Sequence, residues 1–387
     1  MKRPLRIAII GTNFMGKAHS NGWSQAAKFF DLGAQPILQV ACGRNPETLK
    51  TFADRWGWHH TETDWTNAVE RDDVDVVDIS LPQHLHAEVA IRAANAGKHL
   101  FCEKPMALSV KAAQDMLHAA EKNRVKHYLN HNYRRCPAIQ LARKLIDGGR
   151  IGRIFHWRGA YQQDWIVDPE FPLTWHLQKE TAGTGPHGDL NSHSVDLARF
   201  LVGDIRTVSC LMASFIPERP LPGAGAATFT AGKSSGPREL AKVTVEDASL
   251  MMVEFENGAI GSFEATRFAP GRKNRNSFEI YGSEGSLAFD LERMNELQFH
   301  SRNDPDQAQG FRTILATEPS HPYISHWWPP GHIIGYEHGF VHAAADFINA
   351  IVEDKPISPN FADGLKCIQV LEAGIRSVQT GRKEQVV

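Results

Sequence analysis

A lysine, an aspartate and a histidine stand out in this chain for the settings they occupy. Lys104 lies in Glu103-Lys104-Pro105, directly after the apolar run His99–Cys102. That run reads as a short buried strand, so Lys104 falls at a strand's carboxyl end, where open α/β sheets hold ligands. Pro105 fixes its own φ and keeps the preceding lysine out of the helical region. His193 follows Asp189 by four residues, and the apolar set Leu190, Val195, Leu197, Ala198 and Leu201 predicts one amphipathic helix there. The spacing puts both side chains on one face. A histidine beside a carboxylate is a general base near neutral pH. The same residues also fit an N-cap aspartate and a core-packed histidine. The glycine-rich approach Gly183–Gly188 would let another molecule come close to the helix start. Alcohol dehydrogenation asks a protein for a base to take the hydroxyl proton and a cation to steady the developing alkoxide, while a nicotinamide takes the hydride. Lys104 and His193 supply those groups, and Asp189 would orient either. Glu103 either pins Lys104 or caps the strand.

A nicotinamide needs a dinucleotide site. The first apolar run, Arg6–Ile10, leads into Gly11-Thr12-Asn13-Phe14-Met15-Gly16, a dinucleotide-binding turn with Asn13 at the middle glycine position. Gly11 permits the tight turn and Gly16 a close helix–strand contact, while Asn13 tolerates a left-handed conformation. A plain strand–helix turn would read similarly. The second strand ends in Cys42-Gly43-Arg44-Asn45, without the acid that usually holds the adenosine ribose. A small residue followed by Arg44 leaves room and counter-charge for a 2′-phosphate, so among NAD and NADP the reading leans towards NADP. Arg44 stacked on adenine or facing solvent fits the same residues.

The elements that would hold these groups alternate in type up to about Arg134. Strand candidates are Arg6–Ile10, Ile37–Cys42, Val74–Ser80, His99–Cys102 and Val125–Asn130, with helices between them. Asn45-Pro46 reads as N-cap and first helical residue, and Gly57 stops that helix. This alternation predicts an α/β fold beginning with a Rossmann domain, a doubly wound parallel sheet, over 1–134. From 135 to 387 the texture changes to period-two runs: Arg153–Tyr161, Val245–Glu256, Ala259–Arg267, Asn276–Tyr281 and Ser286–Asp290. Asn257-Gly258 marks a hairpin. These predict an α+β domain on a large, mostly antiparallel open sheet. Two stretches, Pro217–Pro237 and Asn303–Tyr336, read as long loops, and Trp327-Trp328 in the second as a loop anchor or subunit contact.

Bulk properties exclude several classes. With 387 residues the chain is too long for one ordinary core. Lys+Arg 42 against Asp+Glu 44 gives −2, which argues against nucleic-acid and anionic-membrane partners. Lys2-Arg3 before an apolar run resembles a signal start, but the run stops at Gly11, so the chain reads as cytoplasmic. Five scattered cysteines without a Cys-x-x-Cys fit reduced thiols. His84/His86, His127/His131 and His338/His342 have ligand-like spacings, but no third and fourth ligand follow in a recognisable motif, so no metal is expected.

The dinucleotide turn, Pro82-x-x-x-His86, Glu103-Lys104-Pro105 and the Gly-Asp-x-x-x-His-x-x-Asp-Leu segment 188–197 together resemble the glucose–fructose oxidoreductase/inositol dehydrogenase (Gfo/Idh/MocA) family. The resemblance covers nearly the whole chain. It implies a nucleotide-binding Rossmann domain, a second domain whose open sheet forms a homo-oligomer (dimer or tetramer), and a dehydrogenase of carbohydrate metabolism acting on a secondary hydroxyl of a sugar, anhydrosugar or cyclitol. It makes Lys104, Asp189 and His193 the catalytic set, in a cleft between the domains. Cofactor contacts would come from Gly11, Asn13, Phe14, Met15, Gly16, Arg44, Ser80, Leu81, Pro82, His86, Glu103, Lys104 and Asn132, and substrate contacts from Tyr133, Gln163, Trp165, Trp175 and His176. Stretches such as 13–19, 132–135, 163–165, 216–220 and 310–313 are similar to the levoglucosan dehydrogenase-like members. The chain departs from those members at Trp175-His176, where arginine is usual, and at Pro186-His187 and Asn191. These departures leave the substrate open. Aromatic walls with amide partners suit sugars, whose C–H faces are edged by hydroxyls; ordinary packing would use Trp165 and Trp175 as well. Two other activities fit the same residues: a glycosidase-type oxidation and elimination with retained cofactor, and a non-catalytic nucleotide sensor.

Overall fold

The computed structural model describes residues 2–223 and 239–387. Of the first long loop read from the sequence, 224–237 lies outside the described residues. The chain divides into two compact units, 1–137 with 317–368, and 138–316 with 369–387.

The first unit is built on β1 (Arg3–Ile10), α1 (Phe14–Phe29), β2 (Ala34–Cys42), α2 (Pro46–Trp56), β3 (His60–Glu62), α3 (Trp65–Glu70), β4 (Val76–Ile79), α4 (His86–Asn95), β5 (His99–Cys102), α5 (Val110–Lys122) and β6 (His127–Leu129). The six strands form one parallel sheet in the order β3-β2-β1-β4-β5-β6. That is the doubly wound order of dinucleotide-binding domains. Local chemistry matches the sequence signals. The Asn45 side chain accepts from the amides of Glu47 and Thr48, Pro46 opens α2, and Gly57 closes it at φ 80°.

One segment falls outside its expected domain. Residues 317–368 belong to the first unit, although the sequence boundary at 134/135 assigned them to the second. The reason is the helix His338–Val352, which is apolar on most of its surface and must be buried. Its Val341, Ala344, Phe347 and Ile348 join Ile7, Ile9, Trp23, Phe52, Phe101 and Tyr128 in one core. The loop before it is anchored rather than loose: Trp327 lies 4.2 Å from the Phe29 ring and donates to His342 Nε2 at 2.7 Å.

The second unit carries α6 (Pro137–Asp147), β7 (Ile154–Gln162), α7 (Lys179–Ala182), α8 (Pro186–Asp189), α9 (Asn191–Leu201), β8 (Ile205–Ala213), β9 (Glu218–Pro220), β10 (Leu240–Lys242), β11 (Ala248–Phe255), β12 (Ile260–Thr266), β13 (Arg275–Gly282), β14 (Gly285–Asp290), β15 (Glu296–Ser301), β16 (Arg312–Leu315) and β17 (Glu384–Gln385). Nine strands form a sheet in the order β16-β15-β14-β13-β7-β12-β11-β8-β17, antiparallel except for β7 beside β12. Helices α8 and α9 pack on β7, β11 and β12. The opposite face is open: in β11 Met251, Val253 and Phe255 are buried, whereas Leu250 and Met252 are 52% and 69% exposed. Among the described residues, no helix is long and apolar enough to cross a membrane, and no disulfide joins the five buried thiols.

Candidate active site

In the first unit, the turn after β1 is held by Gly11 N donating to Cys42 O at 3.0 Å. Gly11 takes φ +111°, and a Cβ there would stand 2.4 Å from Ser80 O. A Cβ on Gly16 would stand 2.2 Å from Gly11 O. Both places admit only glycine. Asn13 lies in the extended region at φ −79°, so the left-handed tolerance invoked from sequence is not used. No side chain caps α1 and no acid lies in its first turn, which suits a pyrophosphate at the helix's positive end. The residues present therefore fit a dinucleotide. Phe14 is 54% exposed, Asn13 is exposed and Met15 half-buried along this turn.

Arg44 is exposed at the tip of β2. The fold also supplies an acid that the sequence order hides: Glu62 of β3 pairs with Cys42. Burial first, then the charges of Glu62 and Asp64, push the Cys42 thiol up to about 12. After β4, Ser80 Oγ donates to Asp78 Oδ1 at 3.0 Å, and Leu81 and Pro82 are half-buried. His86 is buried, its ring nitrogens 2.8 Å from Leu81 O and 2.9 Å from Pro105 O. It ties this turn to the lysine's segment, and burial lowers its pKa. Lys104 is half-buried before a cis bond to Pro105. Glu103, only 4% exposed, turns its carboxylate inward to His19 and Asn130. Asn132 and Tyr133 lie in a buried 3-10 turn, with the Tyr133 ring 6.4 Å from Tyr336.

In the second unit, the single helix expected around Asp189 and His193 is two, joined at Leu190. Asp189 closes α8 and His193 lies in the first turn of α9. The glycine before them accommodates the chain itself: a Cβ on Gly185 would stand 2.0 Å from Glu246 O. The Asp189 carboxylate accepts from Arg267 at 2.5 Å. Arg267 is 1% exposed, and its guanidinium sits 5.0 Å over the Trp165 ring. Sequence reasoning missed this arginine. Its signal was phase: Arg267 follows Phe263 and Ala265 at alternate positions, on the strand's buried side, where a cation requires an anion.

The expected substrate residues of this unit come together. Trp165 Nε1 donates to Gln163 Oε1 at 2.8 Å, and Gln163 Nε2 donates to Asn274 Oδ1 at 2.8 Å. Tyr161 donates to the same oxygen at 2.8 Å, and its ring lies 5.9 Å from that of His193. His176 stacks on Trp175 at 3.6 Å and meets the edge of Trp165 at 5.9 Å. Tyr161 and Asn274 were not foreseen; neither lies in a motif. Two of the departures noted from sequence are interior: His187 is fully buried between Ser249 Oγ and Leu371 O, at 2.9 and 2.8 Å. Asn191 is also fully buried, with no hydrogen-bond partner for its amide among the described residues.

Known proteins match the chain through both units. Residues 5–131 match a family described as "Oxidoreductase family, NAD-binding Rossmann fold", and 139–288 match the "GFO/IDH/MocA C-terminal domain". The levoglucosan dehydrogenase of Pseudarthrobacter phenanthrenivorans is 44% identical over 376 residues, 96% of each chain. Two solved structures superpose closely. One is a levoglucosan dehydrogenase in complex with NADH and levoglucosan (TM-score 0.93, 41% identical, covering 99% of this chain and 100% of that one). The other is an oxidoreductase domain protein from Kribbella flavida (TM-score 0.94, 48% identical, 100% of both). With both domains matched in order and near-complete coverage, this chain belongs to the GFO/IDH/MocA family of NAD-binding oxidoreductases.

Proposed function

We propose that this enzyme oxidises a secondary hydroxyl of a ring sugar, an anhydrosugar or a cyclitol. The observation that carries the reading is the connected set in the second unit. His193 and the Asp189–Arg267 pair adjoin a wall of Trp165, Trp175 and His176, with Gln163 and Asn274 as amide partners. Such a wall matches a sugar's C–H face and hydroxyl rim. A relative similar along its whole length binds levoglucosan, which supports an anhydrosugar first. A nicotinamide dinucleotide held at the turn after β1 would supply the hydride acceptor. His193 takes the hydroxyl proton, Asp189, paired with Arg267, orients the base, and Lys104 polarises the reacting oxygen.

Arg44 supports use of NADP and the NADH held by the relative supports NAD. The ratio of kcat/KM for the two decides, and Arg44→Ala is expected to weaken NADP use alone. The buried thiols support a reducing, cytoplasmic setting. The open sheet face, with Leu211, Leu250 and Met252 exposed, supports a homo-oligomer; light scattering at the mass of a single chain would remove that part.

The test is a panel of anhydrosugars, sugars and cyclitols with both cofactors, followed by absorbance of the reduced nicotinamide. Turnover of at least one ring sugar is expected, and Lys104→Ala should lower kcat by about a thousandfold with most of the dinucleotide affinity left, since Lys104 is one cofactor contact among many. Cleaved product without net reduced nicotinamide would replace this reading by oxidation and elimination. Dinucleotide binding without turnover of any panel member would replace it by a sensor.

A further inference from the structure

The first unit buries a cluster of charge that the proposed chemistry does not use. His19 of α1 lies between two carboxylates, with Nδ1 2.8 Å from Asp78 Oδ1 and Nε2 2.9 Å from Glu103 Oε1. Asp78 also accepts from Trp23 Nε1 at 2.6 Å and from Ser80 Oγ. Glu103 Oε1 takes a second bond from Asn130 Nδ2 at 2.7 Å, and Oε2 accepts from the Lys104 amide at 3.2 Å. His19, Asp78, Glu103 and Asn130 are each between 0% and 4% exposed. Phe101 and Phe340 enclose the imidazole, their rings 5.3 and 5.5 Å away.

The charges do not cancel within the cluster. Burial works against a charged His19, yet the charge and hydrogen bonds of Asp78 and Glu103 raise its pKa to about 10. Burial likewise opposes ionisation of Glu103, but His19, Lys104 and Asn130 overcome it and lower its pKa. Two carboxylates and one imidazolium leave one negative charge. Of the other groups facing Glu103, His86 at the head of α4 has its pKa lowered by burial. Cys102 on β5 is neutral, its thiol raised well above the usual range. The charge of Lys104, the residue next in sequence, is one of the influences that lower the Glu103 pKa. A buried anion is costly, so a cation close by lowers that cost and is itself favoured in its charged form.

We propose that Glu103, locked by His19 and Asn130, is a positioning residue that clamps the Lys104 backbone and holds the Lys104 side chain as a cation at the tip of β5. A protonated lysine can donate to an alkoxide or carbonyl oxygen and cannot act as the base, which leaves proton removal to His193. The idea rests on the dehydrogenase reading only for what the cation does, so its main test needs no substrate. In the folded enzyme, competitive trace labelling with acetic anhydride, resolved by peptide mass, reads the fraction of Lys104 present as free amine. In Glu103→Gln, labelling of Lys104 at pH 8 should rise about three- to tenfold over wild type, and the alkaline limb of kcat should move to lower pH. In His19→Gln, where a positive charge is lost and both carboxylates remain, labelling should be no faster than wild type. Glu103→Asp, which keeps the charge, should return towards wild type. Unchanged labelling in a folded Glu103→Gln overturns the proposal. So does faster labelling in His19→Gln, the sign of a loosened tip, and that variant decides the matter should Glu103→Gln not fold. A labelling shift in an enzyme that turns over no sugar would sink the functional reading while the clamp stands.

Discussion

The two units hold their polar side chains in opposite ways. In the first, three ionised groups are sealed from water on strand ends and a helix, each bonded to at least two others of the set around them. In the second, neutral groups form a chain from Tyr161 through Asn274 and Gln163 to Trp165, with the Asp189–Arg267 and Asp164–Lys273 ion pairs beside it. Trp165, His176 and Asn274 are half-buried on connections between strands and short helices. A sealed charge cluster fixes geometry at a high energetic stake; a wet chain of amides and rings on loops can vary with the ligand. Changes in the first unit should therefore cost stability and affect every substrate alike. Changes in the second should redistribute substrates at little cost in stability.

The largest effect belongs to Asp78→Ala. It removes the acceptor shared by His19, Trp23 and Ser80 and leaves a buried imidazolium with one carboxylate. The expected loss is about 3–5 kcal/mol of folding free energy, measured by urea unfolding with dinucleotide absent. A loss under about 1 kcal/mol, the value of an exposed pair, would break the contrast between the units.

Next comes Arg267. Replacing it by Leu leaves Asp189, whose side chain is 30% exposed, without its guanidinium. Water can reach that carboxylate, so stability should fall less than for Asp78→Ala, while kcat should drop on the order of a hundredfold as the orientation of the base is lost. Arg267→Lys should recover part of the rate only. An ammonium lacks the planar fork and covers the Trp165 ring less well. Equal rates in Arg267→Leu and wild type would remove Asp189 from its orienting role.

Specific to the first unit is a slope with pH. The pKa of His19 is raised from 6.5 to about 10 on folding, burial notwithstanding, by Asp78 and Glu103. Its contribution is whole below pH 6.5, declines above it, and is gone once pH passes about 10. The difference in urea midpoint between wild type and His19→Gln should shrink steadily from pH 7 to 10. A constant difference would mean that His19 packs without a charge.

The parallel sheet was legible in sequence because each element carried its own punctuation, Asn45-Pro46 and Gly57 among others, and because the strand runs are buried on both faces. Lys104 was legible because proline beside a strand end is a strong local signal. Helix His338–Val352 was not legible as a member of the first unit, since packing between distant segments leaves no trace in local periodicity. Glu62 and Arg267 were invisible for a related reason. Each acts through a neighbour set by strand pairing or by helix packing, Cys42 for one and Asp189 for the other. The helix break at Leu190 had no breaker residue to announce it; the residue keeps α-helical angles (φ −88°, ψ −48°).

The smallest and most selective change is Asn274→Ala. Asn274 Oδ1 accepts from both Tyr161 and Gln163, so its loss unties both at once. Gln163 is half-buried, so water can replace its bond, whereas Tyr161 is only 3% exposed; folding should lose about 1–2 kcal/mol. The consequence falls on the amide proposed to meet the sugar rim: Gln163 keeps its bond from Trp165 Nε1 but gains freedom to turn. Sugars differing in the hydroxyl that meets Gln163 should then be discriminated about tenfold less, seen as a rise in KM for the preferred substrate with kcat nearly held. A fall in kcat shared equally by all substrates would show instead that the amide chain serves His193 through Tyr161, and the second unit would then resemble the first in fixing catalytic geometry.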